Sequence, residues 1–334
     1  MIMISESRKR GLGQYFTKER IWLKDNVREF ILSSGCSIAY DPFAGSGDLL
    51  NAAEELGFTE GIAMDIDGEL GWKSNDSLLE IPHIEDAIII TNPPYLSNYS
   101  ARRRNILDRV EKYFGLTAYD DLYLLALTRM LQAQSYVVAI VPETFMNSPF
   151  PKDRLYSVNI LEENPFRETE TPVCVACFDG NPKSPHDVKV YKNGHFRTTL
   201  GELEEKRLKP GHDVKIRFNS LNGEIGLRAV DTTDPGRRIR FMRREELDYP
   251  LETIKQSSRI ITTIEIDLEP GEIDEFIAQC NRILEKFRED TDDILLSPFK
   301  GNMKNGVRRR RLDYETCRAI MEISFGNLMK SKKY

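Results

Sequence analysis

Cysteine is scarce in this chain of 334 residues: there are five, Cys36, Cys174, Cys177, Cys280 and Cys317. An odd, widely spaced set with no secretory segment ahead of it excludes a disulfide framework and points to a reducing interior. Cys174 and Cys177 form a CxxC inside the alternating strand pattern TPVCVACFD. With no second pair to complete a zinc set, core packing is the better reading, and no metal is expected. Long apolar runs are missing too. None approaches the ~18 to 20 residues of a membrane span, and the basic start MIMISESRKRG is followed by no apolar segment, so a cytoplasmic protein without a membrane partner is expected. Histidine is rare: His83, His186, His195 and His212 are read as surface or structural groups, and none as a general base. No internal repeat stands out.

What is present is ordinary for a globular protein, with 40% hydrophobic and 30% charged residues. The length suits one large domain or, better, two. A net charge of −6 does not exclude a polyanionic partner, because the sum hides local patches.

KERIWLKDNVREFILSSG spaces Ile21, Trp22, Val27, Phe30 and Ile31 as one helical face and ends at Gly35, a C-terminal cap. CSIAYDPFAGSGDLLNAAEELGF reads as strand, glycine-rich turn and helix, and TEGIAMDID as a short strand ending in acids. EDAIIITNPPY is a third strand, followed by the apolar helix DDLYLLALTRMLQAQ and the continuous apolar strand YVVAIVP. This alternation predicts an α/β domain with a mostly parallel sheet. TPVCVACFDG and HDVKVYKNGHF add further strands, the latter with the hairpin signal Asn193-Gly194. After about residue 195 apolar density falls. Residues 196–334 are expected to form a smaller domain beside a first domain at 1–195, with loops around 201–214 and 230–250 and two amphipathic helices.

In YDPFAGSGDLL, Gly45 and Gly47 lie between a strand and a helix, with Asp41 at the strand end. Such a turn lets backbone approach a ligand and aims helix N-terminal amides at it. The Gly-Lys-Ser/Thr ending of a phosphate-binding Walker loop is absent. Asp65 and Asp67 both qualify as ribose acceptors; Asp65 ends the apolar run and is the choice. Asp76 lies between this strand and the next, where it suits an adenine ring. Asn92 offers a side-chain acceptor and Pro93 a fixed carbonyl, while Pro94 stiffens the corner and Tyr95 presents a flat face. Two acceptors and a ring suit an exocyclic amine on a planar base.

Together these segments resemble S-adenosylmethionine-dependent DNA adenine-N6 methyltransferases of restriction-modification systems, with cofactor motifs first and target recognition towards the C-terminus. The resemblance implies a Rossmann-like methyltransferase domain, spans roughly residues 11–180, and identifies NPPY at Asn92, Pro93, Pro94 and Tyr95 as the catalytic motif. It implies S-adenosylmethionine as cofactor, with Gln14, Tyr15 and Thr17 of GQYFT on its methionine part. DPFAGSG contributes Asp41, Phe43, Ala44, Gly45 and Gly47; Asp65 with Ile66 takes the ribose, Asp76 the adenine, and Asn92 lies at the reacting end. Phe166 in ENPFRETETPVCVACF takes the place of the aromatic residue that packs on the extruded base. Duplex DNA is the implied substrate, with a cognate restriction endonuclease as a further partner.

DNA binding needs positive charge despite the acidic total. GRRIRFMRR (236–244) and FKGNMKNGVRRRR (299–311) are the dense basic segments, and Lys300, Lys304, Arg308, Arg309, Arg310 and Arg311 are expected on phosphates or base edges. Three alternatives carry the same motifs: an RNA adenine-N6 methyltransferase, a methyltransferase of protein glutamine amides, disfavoured because its helical domain usually precedes the cofactor motifs, and a non-catalytic DNA-binding subunit. The intact NPPY and glycine motif speak against the non-catalytic subunit.

Overall fold

A computed structural model describes residues 20–166, 169–247 and 261–332. The chain divides into two compact units, Met1–Gly201 and Glu202–Tyr334.

In the first unit, Arg20–Trp22 is a separate 3-10 turn, and α1 (Asp25–Ser33) buries Val27, Phe30 and Ile31. Gly35 follows with φ +71°, the left-handed conformation in which glycine ends a helix at little cost. β1 (Ile38–Asp41) passes through the glycine turn into α2 (Asp48–Glu55), whose Leu49, Ala52 and Ala53 face the core. β2 (Glu60–Asp65), the two-residue β3 (Lys73–Ser74) and β4 (Ala87–Thr91) come next. Two short helices, α3 (Asn98–Arg103) and α4 (Leu107–Phe114), precede α5 (Leu122–Ala133) and β5 (Val137–Pro142). The unit continues through β6 (Leu155–Leu161), β7 (Val173–Phe178), the hairpin of β8 (Lys189–Lys192) and β9 (His195–Thr199), and reaches α6 (Leu200–Lys206).

The nine strands run in the order β3-β2-β1-β4-β5-β7-β6-β8-β9. β3, β2, β1, β4 and β5 are parallel, while β7 is antiparallel to both β5 and β6. This is the mostly parallel α/β sheet expected from the alternating pattern, in the Rossmann-like form that the resemblance implies. Every residue of β4, β5 and β7 is buried, the signature of strands covered on both faces. One face packs Ala39, Ile88, Ile90, Val138, Ile140 and Val175 against α1 and α2. Cys177 joins that face, whereas Cys174, three residues away on a period-two strand, leaves on the opposite one. The two thiols therefore cannot share a ligand. Burial pushes Cys177 up to about 12 and Cys174 well above the usual thiol range, as suits inert packing groups.

Asn193 and Gly194 take φ values of +51° and +83°, the two left-handed positions of a tight hairpin turn. The return strand β9 belongs to the same sheet, so the first unit extends past residue 195 to Gly201.

The second unit holds an antiparallel sheet, order β10-β13-β11-β12, made of β10 (Ile216–Phe218), β11 (Ile225–Arg228), β12 (Arg240–Arg243) and β13 (Thr263–Ile266). The expected amphipathic helices are α7 (Ile273–Asp290) and α8 (Tyr314–Ser331), which pack on each other. Between them β14 (Ser297–Asn302) pairs with β15 (Arg308–Arg311). The segment 230–250, expected as a surface loop, thus holds a strand: β12 buries Phe241 and Met242, and the basic run 308–311 is β15. In β15 the charge masked a period-two alternation, and in β12 it masked an adjacent buried pair.

No helix among the described residues is long and apolar enough to cross a membrane.

Candidate functional site

β1 pairs with β2 on one side and β4 on the other, so the strand order reverses between β1 and β4. In sheets of this kind the chains leaving the carboxyl ends of two such strands diverge, and the point between them is the usual ligand position. Asp41 ends β1 and Thr91 ends β4, and Thr91 Oγ1 donates to Asp41 Oδ1 at 2.5 Å across this point. Phe43 N–H donates to the same oxygen at 3.0 Å. The Asp41 side chain is only 1% exposed. Burial pushes it up to about 7; the Thr91 and Phe43 hydrogen bonds work against the rise, and the charge of Asp65 adds to it.

The glycine turn is folded back on the end of β2. Ala44 N–H donates to Met64 O at 2.9 Å, and Gly45 N–H to Asp65 Oδ2 at 2.9 Å. The other Asp65 oxygen accepts Asp67 N–H at 2.9 Å. Asp65 thus holds the turn in place, and any ribose hydroxyl would use the remaining lone pairs of the same carboxylate. Gly47 is the residue before α2 with φ +84°, where an L side chain is strained. A Cβ there would also lie 3.1 Å from the ring of Trp72.

Trp72 is the residue the sequence reasoning missed. Its indole Nε1 donates to Gly45 O at 2.9 Å, so the ring covers the glycine turn while remaining 38% exposed. Ile66, 53% exposed, lies in the same β2–β3 connection. The exposed indole on the turn is a flat apolar lip, and Ile66 is a second apolar group left in solvent in the same connection. The available signal was an indole in the otherwise polar loop GELGWKSND.

NPPY leaves the end of β4 beside this turn. Asn92 is half-buried with its Oδ1 shielded from solvent, and Pro93 is buried. Tyr95 Oη donates to Ile140 O at 2.7 Å, which fixes the ring against the core. Phe166 is buried next to it, with ring centroids 6.0 Å apart and planes at 69°. The structure therefore brings Tyr95 and Phe166 together, but edge to face and not as the parallel pair that would sandwich a base. The Tyr95–Ile140 hydrogen bond sets that orientation. Asn98 and Tyr99, which follow, start α3: Ser97 caps it by accepting Ser100 N–H at 3.1 Å.

Asp76 Oδ2 accepts Tyr113 Oη at 2.9 Å and pairs with Lys112 Nζ at 3.0 Å, so α4 already uses one of its oxygens. Gln14, Tyr15 and Thr17 lie outside the described residues.

The basic run of the second unit departs from its expected role. Arg308 and Arg310 alternate inward on β15 and are 4% and 1% exposed, so they cannot lie along a groove. Arg310 N–H donates to Asp231 Oδ2 at 3.1 Å. Asp231 in turn takes both Nη groups of Arg288, at 3.0 and 2.9 Å. Burial alone would raise the Asp231 carboxyl, but Arg288 and the N–H groups of Ile239 and Arg310 hold it below the usual range. Arg309 is tied as well, stacking on Phe299 at 4.8 Å and donating to Asp231 O at 2.8 Å. Lys300 and Lys304 are exposed, and Arg311 is half-buried.

No protein-family model and no curated protein matches the chain. Among solved structures, it is similar to a Listeria monocytogenes protein assigned to the class I S-adenosylmethionine-dependent methyltransferases, at 16% identity and TM-score 0.39 over 54% of this chain and 66% of that one. A type I restriction-modification methyltransferase subunit from Streptococcus thermophilus matches at 16% identity and TM-score 0.38, over 58% of this chain and 53% of that one. A modification subunit from Vibrio vulnificus YJ016 matches at 15% identity and TM-score 0.38, covering 57% and 48%. The chain spans about half to two thirds of the length of these proteins.

Proposed function

We propose that the protein is a DNA adenine-N6 methyltransferase that uses S-adenosylmethionine and acts in restriction-modification. The observation that carries this reading is the Thr91–Asp41 hydrogen bond at the strand-order reversal, which holds the glycine turn and NPPY side by side on one sheet edge. A cofactor site and a target-amine site must adjoin for direct transfer, and here the ends of β1 and β4 supply both.

The residues fit the cofactor. Gly45 and Gly47 both hold positive φ in the turn, Asp65 supplies a carboxylate at the end of β2, and Trp72 and Ile66 offer apolar faces to a ring. When bound, the cofactor supplies an electrophilic methyl group. The adenine N6 is a weak nucleophile because its lone pair is delocalised into the ring. Asn92 Oδ1 and the Pro93 carbonyl accept its two N–H groups and favour the positive charge that develops on nitrogen. Tyr95 supplies a face for a base taken out of the duplex, and Phe166 supports the Tyr95 ring from behind. The second unit is assigned to target recognition, through Lys300 and Lys304 on the surface of its hairpin.

The test is incubation with labelled cofactor and unmethylated duplex DNA of varied sequence. N6-methyladenine in the DNA is expected; label found only in RNA or in protein would overturn the reading. Asn92→Ala should lower transfer by at least ~100-fold, the size of losing one well-placed transition-state partner, with cofactor affinity unchanged by calorimetry. A parallel loss of cofactor affinity would remove Asn92 from the target amine.

A further inference from the structure

The chain just after NPPY carries charge that the reading so far has not used. Leu122 N–H donates to Leu96 O at 3.0 Å and Asn98 N–H to Asp120 O at 2.8 Å, so the segment is pinned to the start of α5. Ala101 of α3 is fully buried, so the helix is seated on the unit through that residue. Tyr99 is 52% exposed on this short helix, and Arg102, Arg103, Arg104 and Arg109 all face solvent. Residues 98–112 hold five cations and two acids in a chain of net charge −6. Arg102 Nε donates to Asn98 Oδ1 at 3.0 Å, which orients its guanidinium.

Three successive arginines at the surface repel one another, and ordinary solvation does not call for them. A polyanion beside NPPY would turn the repulsion into binding, since each guanidinium neutralises a phosphate and releases a counterion. Arginine also suits phosphate better than lysine, because its planar fork donates two parallel hydrogen bonds. The rigid attachment matters equally: phosphate contacts set the register of a duplex on a protein.

We propose that the α3 corner, through Arg102 and Arg103, grips the phosphate backbone of duplex DNA next to the target base. The inference rests on the methyltransferase reading and gives the catalytic unit its own DNA contact, separate from target recognition. Tyr99 adds an aromatic face at the same place for an unstacked neighbouring base.

The experiment compares the full chain with the double variant Arg102→Ala, Arg103→Ala, using fluorescence anisotropy of a labelled duplex at 50 and 200 mM salt. Two lost phosphate contacts should reduce the slope of log affinity against log salt by about 1.8, so the wild-type advantage shrinks about 12-fold between the two salts. Calorimetric cofactor affinity should stay unchanged, which certifies the fold, and Arg102→Lys, Arg103→Lys should recover most of the slope. Equal slopes and affinities for wild type and the alanine variant would overturn the proposal while leaving the methyltransferase reading intact. A wild-type protein that binds cofactor but no duplex DNA would sink both. Loss of RNA affinity alone in the variant would assign the corner to RNA and overturn the proposal for DNA.

Discussion

Asp41→Asn tests the electrostatics of the strand-order reversal. The Asp41 carboxyl ionises near 3.8 when unperturbed and is pushed up to about 7 in the folded chain, chiefly by burial. Below pH 3.8 both states are protonated and the shift costs nothing. Above it the unfolded chain releases its proton first, so stability falls as pH rises, until the folded carboxyl also ionises around pH 7. At 1.36 kcal/mol for each unit, the cost is about 2 kcal/mol at pH 5.5 and about 4 kcal/mol at pH 8.5. Asparagine keeps Oδ1 for Thr91 and Phe43 but has no charge to bury. Any change from its amide group is the same at both pH values, so the comparison isolates ionisation. The variant should therefore gain about 2 kcal/mol on wild type between pH 5.5 and 8.5. Urea unfolding read by tryptophan fluorescence measures this, because Trp22 and Trp72, the two tryptophans of the chain, both lie in the first unit. A difference that stays constant within ~0.5 kcal/mol across that range would refute the argument from burial.

Trp72→Ala should weaken S-adenosylmethionine binding roughly tenfold by calorimetry, with Trp72→Phe recovering part of it through the retained ring. Full affinity in Trp72→Ala would remove the indole from the site. Trp72 fluorescence should change on cofactor addition while buried Trp22 stays constant; no change would count against the lip over the turn. In the second unit, Arg288→Met leaves Asp231 buried without its bidentate partner and should cost about 3 to 5 kcal/mol. Hydrogen exchange at the Ile239 and Arg310 amides, both donors to Asp231, should then accelerate; unaltered exchange would show that the pair does not hold the loop.

The α/β class and the main strands were legible because their signals are local. Continuous apolar runs mark β4, β5 and β7, the Asn193-Gly194 pair marks its hairpin, and the glycine turn sits between a strand and a helix. The acids Asp41 and Asp65 could be named as strand-end residues from the same patterns. Their partners could not, since Thr91 is fifty residues from Asp41 and Gly45 twenty from Asp65. Trp72 was passed over for that reason: nothing within GELGWKSND says that the indole folds back on Gly45.

The basic segments divide in the same way. Sequence counts charge but not its depth, so RRRR at 308–311 read as a groove-facing run. Period-two pairing of β15, with buried Asp231 and Arg288 behind it, turned Arg308 and Arg310 inward. The shorter ARRR after NPPY carries no local signal of its depth, and α3, pinned to the start of α5, leaves those arginines exposed beside NPPY. By itself, then, the sequence determined periodicity and strand ends, both properties of neighbouring residues. Tertiary structure alone decided which charges are buried, which ring covers the glycine turn and how Tyr95 meets Phe166, because each depends on contacts between segments far apart in the chain.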